Sequence, residues 1–130
     1  RERAGELDWK IYRDRVAPVL GPDEIKAMAA TIREIRVDEA VLTYIRDLVF
    51  ATRSHSDVRL GASSRASIAL LGGSRVRAAL DGRTYVIPDD ARALAVPALR
   101  HRILPTREAA VTGVTPDLVV SEIIESVGVS

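Results

Sequence analysis

Residues 61–80 read GASSRASIALLGGSRVRAAL, and this stretch predicts a long helix that begins after Ser63 and ends at Leu80. Alanine and leucine are strong helix formers, and Gly82 is typical of the residue that terminates a helix. Ser63 is the expected N-cap, whose hydroxyl would accept a hydrogen bond from a first-turn amide. Arg65 therefore lies in the first turn, where unpaired N–H groups and the positive end of the helix dipole favour an anion.

Apolar residues at helical spacing predict four more helices, each opened by a proline or by an N-cap residue. Their expected starts are Gly21-Pro22, Asp38, Pro88 and Thr115-Pro116. The second of these should end near Ser54, and Pro97 should bend or shorten the helix that starts at Pro88. The pattern as a whole predicts an all-α fold, a small helical bundle.

Two short β-branched segments, residues 35–37 and 84–87, are expected to be extended and are the candidates for one two-stranded β pairing. The polar stretch 54–61 is expected to be a loop, and so is the stretch between Pro105 and Thr115. Tyr44 and Tyr85 are expected in the core.

Composition excludes several classes of protein. The 130 residues contain no cysteine and two histidines, so disulfides, thiolate chemistry and a histidine-rich metal site are excluded, and no metal site is predicted. The formal net charge is +1 with no basic stripe, which argues against nucleic acid as a partner. No apolar run approaches a membrane span and no signal peptide opens the chain, so we expect a cytoplasmic protein without a membrane partner.

The organisation of the chain follows from its first residues. Residues 1–20 mix charge with Trp9 and lack a clean period, so they are expected to be a linker or docking arm, and residues 21–130 the helical domain. Because the chain begins with Arg1 rather than methionine, we expect it to be a piece of a longer protein, with processing as the alternative explanation.

Three motifs occur in a characteristic order: GASSRA at residues 61–66, GRTYVIPDD at 82–90 and HR at 101–102. This ordered set resembles the C-terminal lid domain of MoxR-type AAA+ ATPases over about residues 19–128. The usual family pattern is Gly-Ala-Ser-Pro-Arg-Ala, a helix, Gly-Arg-x-Tyr-Val-x-Pro-x-Asp, a helix and His-Arg. Ser64 stands where the family usually has proline, and Gly72-Gly73 replaces a stretch normally rich in alanine and arginine.

The resemblance implies a role for Arg65, which in such lids is the second sensor that contacts the γ-phosphate of ATP. Ser63, Ser64 and Arg65 are then the nucleotide-contacting residues, and ATP with Mg is bound mainly by a core domain outside this chain. The chain lacks the Gly-x-x-x-x-Gly-Lys-Ser/Thr phosphate loop and an apolar run ending in paired acids. It should therefore not hydrolyse ATP alone, although the parent protein is expected to be an ATPase.

The same resemblance implies partners and a cellular task. Family members are bacterial, chaperone-like ring machines that use ATP to remodel or mature client proteins. The expected partners are the AAA+ core of the same protein, neighbouring ring subunits and a von Willebrand factor A domain protein. Whether Arg65 serves its own subunit's nucleotide or a neighbour's stays open. The alternative is a stand-alone helical adaptor that binds a protein partner and has no nucleotide role.

Other candidate residues have simpler explanations. Ser54, His55, Ser56 and Asp57 have the residue types of a nucleophilic triad but are neighbours in one stretch, so a loop is the better interpretation. Asp38, Glu39, Asp89 and Asp90 are first-turn acids that complement the helix dipole. His101, the first residue of the His-Arg pair, is expected to be a helix-end cation near carbonyls. Arg53, Arg59, Arg83 and Arg102 are either interface residues or solvated charges. Gly72 and Gly73 indicate the close approach of another helix or a bend.

Overall fold

Six helices and one small sheet make up residues 17–129, the part of the chain that the computed structural model describes. The helices are α1 (Pro22–Arg33), α2 (Glu39–Ser54), α3 (Ser64–Leu80), α4 (Pro88–Leu99), α5 (Arg107–Val111) and α6 (Pro116–Ser126). The strands are β1 (Val58–Leu60) and β2 (Leu104–Pro105). The prediction of a helical bundle with a minor β component is confirmed.

The chain divides into two compact units, one that ends at Ala30 and one that begins at Thr31. The described part of the first unit contains most of α1, which starts at Pro22 as predicted and buries no residue. The Gly21 amide donates to Glu24 Oε2 at 2.7 Å, so an acidic side chain caps the start of this helix. Most of the predicted arm, including Trp9, lies outside the described residues. The domain boundary at residue 21 stays a prediction.

Helix α2 places one apolar stripe in the core of the second unit. The stripe predicted from the sequence is buried throughout: Val41, Tyr44, Ile45, Leu48 and Val49. The helix ends at Ser54, as expected. Asp38 occupies the N-cap position without a side-chain cap bond, and its carboxylate lies 3.6 Å from Arg36 Nε.

Helices α3 and α4 form the main helix pair of the second unit. Small residues line the contact, since the buried positions are Ala66, Leu70, Ser74 and Ala78 on α3 and Asp90, Ala91, Ala95 and Leu99 on α4. Short side chains let two helix axes approach closely. Helix α4 ends at Leu99, two residues after Pro97, which agrees with the expectation that this proline shortens the helix.

The two glycines of α3 have different surroundings. A Cβ at position 73 would lie 2.9 Å from Leu94 Cδ1 of α4, whereas a Cβ at position 72 would meet nothing within 4 Å. The predicted close approach is therefore found at Gly73, and Gly72 is exposed. Gly82 has φ 72°, the left-handed conformation predicted for the residue after the helix.

The glycine pair allows a matched test. Gly72→Ala should raise the free energy of unfolding by about 0.5–1 kcal/mol, because alanine is the better helix former and the site is open. Gly73→Ala should be about 0.5–1 kcal/mol less favourable than that, since the end of the Leu94 side chain must turn aside to admit the methyl group. Urea unfolding of both variants measures the difference. Equal stabilisation by the two substitutions would contradict close packing at Gly73.

The predicted pairing of residues 35–37 with 84–87 is found, and a second pairing that was not predicted forms the sheet. Residues 35–37 and 84–87 meet only in a single parallel bridge between Arg36 and Tyr85, where the Arg36 amide donates to the Thr84 carbonyl at 3.0 Å. The two-stranded sheet lies elsewhere: β1 pairs antiparallel with β2, with Leu60 opposite Leu104. The expected loop at 54–61 is therefore wrong over Val58–Leu60.

Three further expectations are settled by the structure. The stretch between Pro105 and Thr115 is not all loop, because α5 begins there with Thr106 Oγ1 accepting from the Ala109 amide at 3.1 Å. Tyr44 is 1% exposed, as predicted, but Tyr85 is 44% exposed and so is not a core residue. Its neighbour Val86 is the buried residue, because adjacent side chains in an extended segment point to opposite sides.

Candidate functional site

Arg65 lies in the first turn of α3, the position predicted from the sequence. Its side chain is exposed, and no described residue forms a hydrogen bond or ion pair with its guanidinium. A guanidinium without an internal partner keeps its N–H donors for an external anion. The structure therefore leaves both the charge and the donors of Arg65 free.

The prediction that the Ser63 hydroxyl caps α3 is wrong. Ser63 occupies the N-cap position, but its hydroxyl accepts no hydrogen bond from the helix. The Ser63 carbonyl accepts from the Ala66 amide at 2.9 Å. Ser63 and Ser64 are both exposed beside Arg65. This helix start thus keeps first-turn amides that no side chain caps.

The turn before α3 is fixed to the end of α2 by a buried threonine. Thr52 Oγ1 donates to the Val49 carbonyl at 2.6 Å and accepts from the Ala62 amide at 2.9 Å. Arg53 Nε donates to the Ala62 carbonyl at 2.9 Å. Both polar groups of Ala62 are therefore held by α2. These bonds fix the position of Ala62. Arg65 follows three residues later, in the first turn of α3.

Gly61 is required by the close contact of that turn with α2. A Cβ at position 61 would lie 2.7 Å from Arg53 Cα and 2.8 Å from Arg53 N, which are backbone atoms and cannot swing away. The motif glycine is thus explained by packing. The Arg53 guanidinium also lies over the Phe50 ring, 4.7 Å from its centroid, a cation–π contact that orders the side chain.

Replacing Gly61 with alanine should lower the free energy of unfolding by about 1–3 kcal/mol, because either the turn or the last turn of α2 must shift. Gly128→Ala is the control, since a Cβ there meets nothing within 4 Å. Thermal or urea unfolding of the two variants makes the comparison. If Gly61→Ala were as stable as the control variant, the turn would not be held against α2 in the way described.

A second polar cluster fixes the start of α4. Asp90 is 1% exposed and receives a bidentate pair from Arg83, with Nη2 to Oδ1 at 2.7 Å and Nη1 to Oδ2 at 2.8 Å. Asp90 Oδ2 also accepts from the Ile87 amide at 2.9 Å. Arg83 further contacts Asp81 Oδ2 at 2.9 Å and the Tyr85 carbonyl at 3.1 Å.

The electrostatics of Asp90 follow from these bonds. Hydrogen bonding from Arg83, more than any other contact, holds the pKa of the Asp90 carboxyl below its usual range, while burial opposes the shift. The Asp90 bonds also raise the pKa of the Arg83 guanidinium. Helix-dipole complementarity is therefore insufficient for Asp90, whereas Asp89 is exposed, as a first-turn acid is expected to be.

The remaining candidates make local contacts. His55 Nε2 lies 3.2 Å from Glu122 Oε2, and its Nδ1 accepts from the Asp57 amide at 3.2 Å, an arrangement without a hydroxyl nucleophile in contact with the ring. Arg102 donates to the Ala98 carbonyl at the end of α4, whereas His101, the residue expected near such carbonyls, is exposed. Of the four arginines proposed for an interface, Arg53, Arg83 and Arg102 make bonds within the chain, and Arg59 is exposed.

Across residues 17–129, no group of three or more acidic, histidine or cysteine side chains is placed to hold a metal ion. None of the helices in this range has the length and apolar character that crossing a membrane would require.

Comparison with known proteins gives consistent matches. The family model of the AAA lid domain matches residues 50–123. The chain is 35% identical over 116 residues to the uncharacterized protein YeaC of Bacillus subtilis and 30% identical over 131 residues to the chaperone MoxR1 of Mycobacterium tuberculosis. These alignments cover 89% and 90% of this chain but only 36% and 35% of the relatives. The chain therefore spans about a third of the length of these two relatives.

A solved structure shows the same fold. A candidate ATPase from Cytophaga hutchinsonii superposes with a TM-score of 0.79 at 28% sequence identity. The match covers 83% of this chain and 36% of that protein.

Proposed function

Because the chain belongs to the AAA lid domain family, we propose that it is the C-terminal lid of a MoxR-type AAA+ ATPase and that Arg65 is its second sensor. The single observation that supports the role of Arg65 is its state: exposed, without a partner among the described residues, in the first turn of an uncapped helix. The similarity to MoxR1 over 90% of this chain supports the MoxR-type assignment.

The helix start fits a phosphate group. Uncapped amides at the start of α3 can donate to phosphate oxygens, and the helix dipole favours negative charge there. Arg65 adds a planar fork of donors that suits phosphate geometry. Ser63, Ser64 and Arg65 are the residues that would hold it. Hydrolysis of bound ATP supplies the free energy for movement, and Arg65 makes the lid sensitive to it by binding the terminal phosphate while that group is present.

The fixed turn gives this sensor a rigid base. Thr52 and Arg53 hold both polar groups of Ala62, and Gly61 admits the turn against α2. A displacement of Arg65 therefore moves α2 and α3 together, because a closely bonded turn cannot deform to accommodate it locally. Magnesium and the remainder of the nucleotide are bound by the core domain. That domain supplies the phosphate loop that this chain lacks.

The proposed assembly extends beyond this chain. An AAA+ lid associates with an AAA+ core and with neighbouring subunits of a ring, and we propose both partners here. ATP-driven remodelling or maturation of client proteins, a von Willebrand factor A domain partner and a cytoplasmic location complete the proposal. The name of the relative MoxR1, a chaperone, supports the remodelling task.

Steady-state ATPase activity of the full-length protein tests the role of Arg65. The variant is Arg65→Ala, and the control is Arg92→Ala, which removes another exposed arginine without a partner among the described residues. We expect turnover to fall with Arg65→Ala and to stay near wild type with Arg92→Ala. Equal turnover of the two variants would count against Arg65 as the sensor.

A further inference from the structure

Thr52 is a polar residue in the apolar stripe of α2. Its exposed fraction is 0%, like that of the apolar residues Leu48 and Val49 on the same side of the helix. Valine has the same branched shape and would suit this position better, because burying a hydroxyl costs free energy unless it is hydrogen-bonded. Packing alone therefore does not account for the hydroxyl.

The Thr52 hydroxyl serves the Ala62 amide more than its own helix. It donates to the Val49 carbonyl at 2.6 Å, but inside an α-helix such a carbonyl already accepts from the amide four residues later. Ala62 is 1% exposed, so its amide is shielded from water, and Thr52 Oγ1 accepts from it at 2.9 Å. A buried amide without an acceptor is strongly unfavourable. The Ala62 carbonyl is less dependent on its partner, because that partner is the exposed Arg53.

The start of α3 has no side-chain cap that could hold it instead. Ser63 is extended, with φ −83° and ψ 170°, and its hydroxyl accepts nothing from the first turn. Arg65 therefore lies between two fixed residues, Ala62 before it and the buried Ala66 after it. Apolar packing of Ala66 is not directional, whereas the hydrogen bond to Ala62 is. That hydrogen bond sets the direction in which the chain enters the helix.

We infer that Thr52 is a positioning residue for Arg65, whose buried hydroxyl fixes the turn from which the arginine projects. The inference rests on the proposed function of Arg65. Thr52 acts through the arginine and, being buried, does not itself contact the nucleotide. Phosphoryl transfer depends on such placement, because a misplacement of about 1 Å can lower a rate on the order of 100-fold.

Hydrogen exchange of the Ala62 amide tests whether Thr52 holds the turn. The variants are Thr52→Val, which keeps the branched shape, and Thr52→Ser, which keeps the hydroxyl. Ser74→Ala is the matched control, because Ser74 is also 0% exposed and its hydroxyl donates to a carbonyl of its own helix, that of Leu70, at 2.8 Å. The rates are measured by NMR in this chain, and the amide of the buried Leu48 reports global opening in each variant.

We expect the Ala62 amide to exchange roughly tenfold or more faster in Thr52→Val than in wild type, after division by the Leu48 rate. Thr52→Ser and Ser74→Ala should stay within about threefold of wild type. Unchanged exchange at Ala62 in Thr52→Val would overturn the inference. So would equal acceleration at Ala62 and Leu48, since the substitution would then only destabilise the fold.

Steady-state turnover of the full-length ATPase tests the consequence for Arg65. Thr52→Val should lower kcat roughly 3- to 30-fold with a smaller change in KM, while Thr52→Ser and Ser74→Ala should stay within about twofold of wild type. Circular dichroism checks that every variant is folded. A role in packing alone predicts the reverse order, because valine fills an apolar position better than serine. Turnover of Thr52→Ser at or below that of Thr52→Val would therefore refute the positioning role.

A double-mutant cycle identifies the group through which Thr52 acts. If that group is Arg65, Thr52→Val should lower kcat by less than about twofold when Arg65 is already alanine. The same fractional loss in both backgrounds would show that Thr52 acts elsewhere, which contradicts the inference.

The exchange measurement does not depend on ATPase activity, so the two proposals can fail separately. Reduced turnover of Arg65→Ala together with wild-type exchange in Thr52→Val would retain the sensor and remove Thr52 as its positioning residue. Full turnover of Arg65→Ala together with fast exchange at Ala62 in Thr52→Val would remove the sensor and retain Thr52 as the residue that places Arg65.

Discussion

Replacing Arg65 with alanine should lower the ATPase turnover of the full-length protein roughly 10- to 1000-fold. The substitution removes a charge-assisted contact to the phosphate that is transferred, and arginines at such phosphates are among the most effective single groups in phosphoryl transfer. A sensor on a moving lid should contribute somewhat less than an arginine that is supplied only in the transition state. Steady-state kinetics over a range of ATP concentrations measures the loss.

The loss should appear in kcat more than in KM, because the rest of the nucleotide is held by the core domain. Arg65→Lys keeps the charge but loses the planar fork, so its turnover should lie between wild type and Arg65→Ala. The free energy of unfolding of the domain should change by no more than about 0.5 kcal/mol, as is usual when an exposed residue outside packed features is replaced. Unchanged turnover in a folded, assembled variant would favour the adaptor alternative.

Asp90→Ala should lower the free energy of unfolding at neutral pH by about 2–3 kcal/mol. The buried carboxylate accepts both Arg83 bonds and the Ile87 amide, and all three lose their acceptor. The loss of stability should be smaller than for a wholly buried ion pair. Arg83 keeps its hydrogen bond to Asp81, and its side chain is 20% exposed. Asp89→Ala is the control in the same helical turn, and it should cost at most about 1 kcal/mol through the dipole.

The pH dependence of this effect has a defined sign. Arg83 holds the folded-state pKa of Asp90 below its unfolded value, which is about 3.9 for aspartate. The stabilisation is therefore complete above the unfolded pKa and is lost as the pH falls through the folded pKa. Urea unfolding of wild type and Asp90→Ala should differ most at neutral pH and converge at low pH. A difference that grows on acidification would contradict this assignment.

Long helices could be predicted because their signals repeat. The stripe from Val41 to Val49 recurs over several turns, and α3 has both a strong composition and a glycine stop at Gly82. The position of Arg65 followed from the same helix start. Its proposed role came from the ordered motifs, since a single arginine in a first turn is otherwise unremarkable in physical terms.

Two short elements could not be predicted, one because its partner is distant in sequence and the other because it is too short to show a period. Strand β1 has three residues, and it is extended because β2 returns beside it after α4. Helix α5 has five residues, too few to display a helical period. The partner of β1 lies far away in sequence, where local propensity carries no information.

Buried polar residues were missed for a related reason. Thr52 continues the core-facing stripe of α2, eleven residues after Val41. A polar residue at a position of the apolar stripe was the sequence signal that could have indicated its burial. Asp90 has the sequence context of any first-turn acid, and its burial depends on Arg83, which follows Gly82. Ser63 shows the converse error, since the residue type and position were right but its hydroxyl forms no cap.

The comparison of nucleotide affinities tests the central claim most directly. Equilibrium binding of ADP and of a non-hydrolysable ATP analogue is measured for wild type and Arg65→Ala in the full-length protein. If Arg65 contacts the γ-phosphate, the substitution should weaken analogue binding by roughly 3- to 10-fold, since one charge-assisted bond is lost, and leave ADP binding unchanged. Equal changes for the two nucleotides, or no change for either, would contradict the assignment of Arg65 as the second sensor.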